Sequence, residues 1–179
     1  MLKPLFNYPK TTLAAFFLFI AVSTQAQYHA AIGVKGAKFN SGISAKYFFW
    51  PDNATGLEVV AGHTRIAKGG WFVTALYENQ IPFNIPIIQI PLDLICGIGG
   101  HVNYYPHRYY KIVEGKAAYY HDNCVAVGAD VLVGVEYVSP IDWLPVAVGI
   151  EAQPFIEFVN KGPEFMDAAI TLRYVFRVD

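Results

Sequence analysis

The residues of this chain that are best suited to chemistry are carboxylates and cations, which recur at alternate positions of several short segments. Carboxylates held close together can act as a general acid and a general base, or can line an ion path. The same residues can instead form salt bridges that neutralise one another in a narrow interior. This second interpretation is favoured because acids and bases are nearly balanced in number. They are Glu58, Glu78, Asp93, Asp130, Glu136 and Glu151, facing Lys35, Lys46, Arg173 and Arg177.

His101 shares this polar face with Asn103 and Asp93. An imidazole beside a carboxylate can serve as a general base. A single histidine on such a face is more often a hydrogen-bonded filler, and we adopt that interpretation. We therefore expect no catalytic residue and predict that the protein is not an enzyme.

A third group of residues alternates bases with aromatic rings between positions 105 and 122. Such a segment could contact a glycan or a receptor, or lie on the phosphates of lipopolysaccharide through its positive charge. An ordinary solvated loop explains the composition equally well, so both interpretations stay open. The candidate contact residues are His107, Arg108, Tyr109, Tyr110, Lys111, Tyr119 and Tyr120.

The sequence contains no signature of a metal, a cofactor or a nucleic-acid site. No group of potential ligands has metal-binding spacing, and the GIGG segment at 97–100 lacks the following helix that a phosphate-binding loop requires. The formal net charge is −1, and it becomes −3 without residues 1–26, which carry two lysines and no acid. We expect no metal, no cofactor and no nucleic-acid partner, because no strongly basic field is present.

The first 26 residues have the pattern of a secretory signal peptide. Lys3 and Lys10 provide positive charge, residues 13–22 form an apolar run, and Ala26 is a small residue at the expected cleavage site. The run is too short to span a bilayer as a helix. We therefore expect export and cleavage, which leaves one domain over residues 27–179.

The chain is unusually apolar for an exported protein. Hydrophobic residues make up 54% of the chain and aromatic residues 16%, with a mean hydropathy of +0.32. No segment after Val22 approaches the ~18 apolar residues of a membrane helix. Such a chain is typical of a closed transmembrane β-barrel, in which every second residue faces lipid.

Alternation with a period of two residues predicts eight strands. Near the carboxyl half, for example, Val133 and Val135 alternate with Gly134 and Glu136. The predicted strands cover residues 28–38, 42–50, 56–66, 70–81, 89–104, 123–138, 146–158 and 166–177.

The composition of the polar face decides between a membrane barrel and a soluble β fold, because both show the same alternation. Here charges are mixed with glycine, which a solvated outer face does not need. The interior of an eight-stranded barrel is only just wide enough for side chains and does need small residues. These glycines are Gly33, Gly62, Gly97, Gly99, Gly128, Gly134 and Gly149. Aromatic residues near strand ends, including Tyr47, Trp71 and Tyr104, would form interfacial girdles.

The connections are expected to differ between the two ends of the barrel. Proline-rich turns at 51–53, 82–86 and 139–145 are predicted to face the periplasm. Loops at 39–41, 67–69, 105–122 and 159–165 are predicted on the opposite side, and only the third of these is long.

The two cysteines are predicted to stay unpaired, although an exported chain meets an oxidising compartment. Cys96 has the parity of the apolar face, and Cys124 has the parity of the polar face. Cys124 should lie opposite a residue close to Tyr104, about eight residues from Cys96. At ~3.3 Å per residue this separation far exceeds the ~7 Å Cα limit for a disulfide.

Six segments, in order over nearly all of residues 27–179, carry a resemblance to a known family. They are GLEVVAG at 56–62, TALYEN at 74–79, GIGGHVNYY at 97–105, VGADVLVGVEY at 127–137, IEAQP at 150–154 and AAITLRYVF at 168–176. In these segments the chain resembles the small eight-stranded outer-membrane barrel proteins of Bacteroidetes-type bacteria. The last segment also resembles the terminal-strand signal for barrel insertion, although three residues follow Phe176. The resemblance implies a location and a porin-like fold more than a chemistry, since such proteins mostly have no assigned activity.

Together these observations predict an all-β protein: an eight-stranded antiparallel up-and-down transmembrane β-barrel preceded by a cleaved signal peptide. We expect a non-enzymatic barrel with a lumen filled by side chains, in the outer membrane of a Gram-negative bacterium, with an envelope-structural or surface-interaction role. The expected partners are outer-membrane lipid, lipopolysaccharide and the barrel assembly machinery, and the chain is expected to be a monomer.

Two alternatives stay open. The first is a lipid-modifying enzyme on the same scaffold. Outer-membrane lipid hydrolases of this fold place a His beside a Ser at the lipid-facing rim, whereas His63 is followed here by Thr64. The second is a secreted lipocalin-like carrier with an apolar cavity and a polar exterior.

Overall fold

A computed structural model of the protein describes residues 28–50, 54–84, 91–106, 110–113, 116–119, 123–141, 143–162 and 165–177. For residues 50, 84, 91, 110–113 and 116–119 it describes the backbone alone. The predicted signal peptide lies outside the described residues. Within these ranges no helix is long and apolar enough to cross a membrane.

The described chain forms ten strands, and eight of them build one closed barrel. The strands are β1 (Ala30–Ala37), β2 (Asn40–Trp50), β3 (Thr55–Thr64), β4 (Gly70–Asn84), β5 (Pro91–Tyr105), β6 (Tyr110–Val113), β7 (Lys116–Tyr119), β8 (Cys124–Val138), β9 (Val146–Val159) and β10 (Met166–Phe176). The order around the barrel is β1-β10-β9-β8-β5-β4-β3-β2, with antiparallel pairing throughout. The predicted eight-stranded antiparallel barrel is therefore confirmed, and each predicted strand ends within three residues of the observed one.

The barrel closes where β1 pairs with β10, from Ala30 opposite Phe176 to Ala37 opposite Ala169. Every barrel strand lies beside the barrel strand that follows it in sequence, so the topology is up-and-down. Closure removes the free strand edges that an open sheet would expose. We call the end that carries the connections after β2, β4 and β8 the turn end, and the opposite end the loop end.

The two faces of each strand are opposite in character to those of a soluble barrel. On β8, Val131 and Val133 are 46% and 47% exposed, whereas Asp130 and Glu136 are 4% and 0% exposed. β-Branched residues favour the extended backbone, and strict alternation sends successive side chains to opposite faces. Apolar side chains point outward around the ring and charged side chains point inward.

Close approach of neighbouring strands explains why glycine occupies inward positions. An added Cβ at Gly33 would lie 2.0 Å from the Leu172 carbonyl oxygen, and one at Gly99 would lie 2.0 Å from the Ala75 oxygen. The constraint at these sites comes from the backbone of the adjacent strand. A small closed sheet is bent so strongly that these inward Cβ positions meet the neighbouring backbone. The predicted crowding by lumen side chains is found at other inward glycines, such as Gly149.

Strand β4 continues past Pro82, which the sequence analysis placed in a turn. Pro82 lies opposite Asp93, and pairing with β5 continues to Asn84. The Gln80 N–H points toward β3 and donates to the carbonyl of Ala54, the residue just before β3. The nitrogen of Pro82, two residues later, faces the same side, where β4 has passed the last residue of β3 that pairs with it. A proline without an N–H is tolerated there because no strand needs the missing hydrogen bond.

The long connection between β5 and β8 also differs from the prediction. The sequence predicts a loop over residues 105–122, yet β6 and β7 pair as a short hairpin from Tyr110 opposite Tyr119 to Val113 opposite Lys116. The segment lacks the extended alternation of the barrel strands, and a strand of four residues is too short for periodicity to reveal.

The two cysteines are not joined by a disulfide, and they occupy different faces. Cys96 lies opposite the outward-facing Val133, whereas Cys124 lies opposite Tyr105 and packs against its buried cluster. Along β5 these positions are nine residues apart, which corresponds to ~30 Å at ~3.3 Å per residue. We therefore expect peptide mass spectrometry of the unreduced protein to find two separate thiols. A peptide linked through Cys96 and Cys124 would contradict the register of β5 with β8.

Candidate functional site

Arg173 is the centre of a polar cluster inside the barrel. It projects inward from β10 and its guanidinium contacts three carboxylates on three other strands. Nη2 donates to Glu58 at 2.5 Å and to Glu151 at 2.8 Å, and Nη1 donates to Glu136 at 2.6 Å. Nε donates to the Ser44 hydroxyl at 3.0 Å. A planar guanidinium with five donors suits this role, because it can bind several carboxylates at once.

Two lysines extend the cluster on either side of Arg173. Lys46 lies 2.8 Å from a Glu78 oxygen, and both side chains are fully buried. Lys35 lies 2.7 Å from the second oxygen of Glu151 and donates to the Gln153 amide oxygen at 2.9 Å. Buried charges need a partner of opposite sign, and each of these two lysines has a carboxylate oxygen within 2.8 Å.

Toward the turn end, Glu136 also binds neutral donors. Its Oε1 accepts from the Tyr28 hydroxyl at 2.6 Å and from the Gln80 amide at 2.8 Å. Tyr28 precedes β1 and lies inside the ring, where its aromatic ring meets Phe48 edge to face at 5.2 Å. The residue therefore plugs the turn end with both a ring and a hydroxyl.

Toward the loop end, His101 pairs with Asp130 and not with Asp93, which shares its face of β5. The His101 Nδ1 lies 2.8 Å from Asp130 Oδ2, while the Gln153 amide donates to the other Asp130 oxygen at 2.8 Å. Asp93 lies opposite Glu136, eight residues along β5 from His101. Residue parity fixes the face on which a side chain lies, whereas its pairing partner depends on the register between β5 and β8.

The imidazole–carboxylate pair resembles half of a catalytic arrangement, because the carboxylate orients the ring. The Nε2 of His101 has no hydrogen-bond partner among the described residues. Instead, the ring packs edge-on against Phe155 at 5.5 Å and lies directly over Gly128, where an added Cβ would fall 2.5 Å from the ring. No described hydroxyl or thiol is hydrogen-bonded to Nε2, so the pair has no nucleophile to activate in this arrangement.

These contacts join into one chain of hydrogen bonds and ion pairs through the barrel, which we call the interior chain. Its seven links measure 2.6–2.9 Å. Such a connected network is rigid because every member before the terminal His101 has at least two polar partners. From the turn end toward the loop end, the interior chain consists of Tyr28, Glu136, Arg173, Glu151, Lys35, Gln153, Asp130 and His101.

Carboxylates closer to the loop end accept hydrogen bonds from neutral donors. Asp167 accepts the backbone N–H groups of Phe39 and Asn40 at 3.1 and 3.0 Å, which fastens the first loop to β10. Glu157 accepts the Tyr105 hydroxyl at 2.9 Å. These contacts extend the polar interior to the base of the loops.

The structure places all ten predicted interior residues inside the barrel, each at most 5% exposed: Lys35, Lys46, Glu58, Glu78, Asp93, His101, Asp130, Glu136, Glu151 and Arg173. Seven of the ten take part in the ion pairs made by Arg173, Lys46 and Lys35. His101 and Asp130 lie apart from the Arg173 cluster and join it through Gln153 and Lys35. Asp93 lies on β5 opposite Glu136.

The predicted near balance of charge is wrong for the described interior. Arg177 is only half-buried and donates to the Ser139 carbonyl at the turn end. Glu157 and Asp167 are buried in addition to the six predicted acids. The described interior therefore holds eight carboxyl groups but only three cations, Lys35, Lys46 and Arg173. Hydroxyl, amide, imidazole and backbone donors bind much of the remaining negative charge.

Several interior residues were missed as members of the network. Alternation along the strands could have found Ser44, Gln80, Tyr105 and Asp167, because each shares the parity of the charged face. Tyr28 carried no such signal, because it precedes β1 and reaches the lumen from the chain end.

The candidate surface residues of the long connection receive a partial description. Tyr110, Lys111 and Tyr119 lie in the hairpin of β6 and β7, for which the backbone alone is described. His107, Arg108, Tyr109 and Tyr120 lie outside the described residues. Among the side chains that are described, no group of three or more His, Cys, Asp or Glu residues could hold a metal ion.

Comparisons with known proteins were made at three levels. No family model matches the chain, and neither the search of curated proteins nor the search of solved structures returned a match. Inferences about function therefore depend on the geometry, burial and charge of the described residues.

Proposed function

We propose that the protein is an integral outer-membrane β-barrel of a Gram-negative bacterium, exported through a cleaved signal peptide. In this proposal it is a non-enzymatic barrel whose lumen is filled by its own side chains, with an envelope-structural or surface-interaction role. It resembles the Bacteroidetes-type barrels named above and would be inserted by the barrel assembly machinery.

The observation that carries the proposal is the inversion of polarity between the inside and the outside of the barrel. Every Asp and Glu that the structure describes is buried, while Ile98, Ile150 and Ile170 are each more than 60% exposed. Exposing this much apolar surface to water costs free energy at roughly 25 cal/mol per Å², whereas lipid removes that cost. No described Asp, Glu, Lys or Arg side chain projects outward from a barrel strand.

Aromatic side chains at the two ends support the same proposal. At the turn end Tyr47, Tyr174 and Phe176 are about half exposed, and at the loop end Trp71 is 45% exposed and stacks on Tyr104 at 5.8 Å. Amphipathic rings concentrate at the two interfaces of membrane proteins, where one side is apolar and the other is hydrated.

The interior argues against the lipocalin-like alternative. A carrier needs an apolar cavity, but the centre of this barrel holds Arg173 between Glu58, Glu136 and Glu151 at hydrogen-bonding distances. The desolvation cost of burying these charges is offset only when they pair with one another. The interior chain therefore suits a fixed plug that supports the wall, and not a ligand chamber.

The proposal is tested by heat modifiability of the full-length protein made in a Gram-negative host. We expect it to sediment with membranes after carbonate extraction and to migrate differently on gels with and without boiling. A closed barrel has no free strand edge from which to unfold, so it survives detergent until heated.

A boiled and an unboiled sample of the purified protein, both checked by circular dichroism, form the matched pair. A folded β protein that is released by carbonate and shows one migration position would overturn the membrane proposal and favour the secreted carrier. Incubation of the purified barrel with lipopolysaccharide tests the enzymatic alternative, because hydrolysis would lower the mass of the lipid.

A further inference from the structure

The exposed charges that the structure describes have one sign and one location. Lys38, Arg65, Lys68 and Lys161 are exposed, and all four lie in connections at the loop end. No exposed carboxylate accompanies them among the described residues, since every described Asp and Glu is buried. Exposed cations at one end of a barrel attract phosphate groups.

Two of these cations, Arg65 and Lys68, lie in the connection between β3 and β4. This connection contains no acidic residue, and His63 precedes it on the outward face of β3. His63 lies opposite Trp71 on β4. The connection that carries both cations therefore leads directly to the strand position of Trp71, whose ring stacks on Tyr104.

Below this aromatic pair, the outer wall has a hollow. Its volume is about 300 Å³, and it is lined by Val73, Ala75, Gly100, Val102 and Val127, with His101 and Gly128 at its base. Ala75 and Gly100 lie opposite each other, so two small residues meet on adjacent strands. Because the His101 side chain points into the barrel, the outward lining is apolar.

Large side chains bound the hollow along the barrel axis. The stacked rings of Trp71 and Tyr104 close it toward the loop end, with ring centroids 5.8 Å apart. Tyr77 and Ile98, which are opposite each other and 50% and 64% exposed, close it toward the turn end. The result is an apolar recess of limited length, beneath an amphipathic aromatic layer and beneath cations.

We propose that the wall formed by β3, β4, β5 and β8 binds one molecule of the phosphorylated lipid anchor of lipopolysaccharide, lipid A. Its phosphate lies against Arg65 and Lys68, and one acyl chain occupies the hollow at Ala75 and Gly100. This inference rests on the proposed function, because it requires the loop end to lie in the lipid leaflet that faces outward. From the loop end toward the turn end, the wall presents cations, then aromatic rings, then the recess. Lipid A presents its phosphates, its sugars and its acyl chains in the same order.

The proposed charge contacts and the proposed acyl-chain contact predict which substitutions weaken lipid A binding. Each cation near an anionic lipid surface contributes to the binding free energy, and removing one weakens binding roughly fivefold at moderate salt. The double variant Arg65→Gln, Lys68→Gln should therefore bind lipid A roughly 25-fold more weakly, and added salt should reduce the difference. Ala75→Leu places a branched side chain in the hollow and should weaken binding without changing charge.

The opposite side of the barrel supplies matched controls. Lys161 lies in the connection between β9 and β10, across the ring from Arg65 and Lys68. Ala168 is an exposed, outward alanine on β10, across the ring from Ala75 on β4. Lys161→Gln and Ala168→Leu should leave lipid A binding within about twofold of the parent protein, because neither contacts the proposed site.

The experiment titrates the purified barrel in a nonionic detergent with lipid A and follows bound lipid by native mass spectrometry. The parent should retain one lipid A per barrel, and the Arg65/Lys68 and Ala75 variants should lose it while the controls keep it. Every sample is first required to show the heat-dependent gel shift, so that a folded barrel is being compared.

Three outcomes would overturn the inference. They are equal retention in site and control variants, no retention by a heat-shifting parent, and preference for phosphatidylglycerol over lipid A. A parent that lacks the heat shift and leaves the membrane in carbonate would instead overturn the proposed function. Failure of the site and failure of the membrane proposal are therefore distinguishable.

Discussion

Val133→Arg should reduce the amount of assembled barrel in membranes by more than an order of magnitude. Val133 is 47% exposed on the outward face of β8, opposite Cys96 on β5 and Ala152 on β9. If this face contacts lipid, an arginine near the bilayer midplane costs roughly 2–4 kcal/mol. The measurement is the heat-shifted fraction in purified membranes, compared with total protein.

Gln153→Arg is the matched control, because it introduces the same side chain on the inward face. Gln153 is only 9% exposed and donates to Asp130, in a lumen with more described carboxyl groups than cations. An added arginine there has acidic partners, so assembly should fall much less than for Val133→Arg. Val133→Leu, which keeps an apolar side chain, should assemble normally. Equal loss for the two arginine variants, or the reverse order, would show that the proposed lipid face is wrong.

Arg173→Met should lower the free energy of unfolding by about 3–5 kcal/mol, because it leaves buried carboxylates without their central cation. Arg173 contacts Glu58, Glu136 and Glu151, and all four side chains are fully buried. Urea unfolding of the barrel in lipid vesicles, followed by the heat-shifted fraction, measures the change.

Two further variants separate loss of charge pairing from loss of packing. Arg65→Met removes an exposed arginine at the loop end and should change unfolding by no more than ~0.5 kcal/mol. Combining Arg173→Met with Glu58→Gln and Glu136→Gln should recover part of the lost stability, because fewer unpaired charges stay buried. A small effect of Arg173→Met alone, below ~1 kcal/mol, would mean that the interior chain contributes little to stability.

Local alternation in the sequence was sufficient to predict the barrel strands and their faces. On β8 and β9 the valine and isoleucine residues recur every second position, and a strand sends alternate residues to opposite faces. Parity alone therefore placed Glu136, Glu151 and Arg173 on one face. It also predicted that Cys96 and Cys124 lie on different faces, and the described register agrees.

Features that depend on a neighbouring chain segment were predicted less well. Pro82 was assigned to a turn because its own residue type disfavours a strand, but it lies where β4 extends beyond β3 and no hydrogen bond is needed from it. The role of Gly33 likewise depends on the Leu172 carbonyl of the adjacent strand, which the sequence around Gly33 does not reveal.

The tertiary structure alone decided which interior groups meet. Sequence parity could not show that His101 pairs with Asp130 instead of Asp93, or that Arg173 connects carboxylates from three strands. Nor could it show that residues of β4, β5 and β8 together line a recess in the outer wall. Alternation is a property of one strand, whereas these contacts depend on the stagger between strands. Closure of the ring fixes that stagger and sets which residues share a height across the lumen.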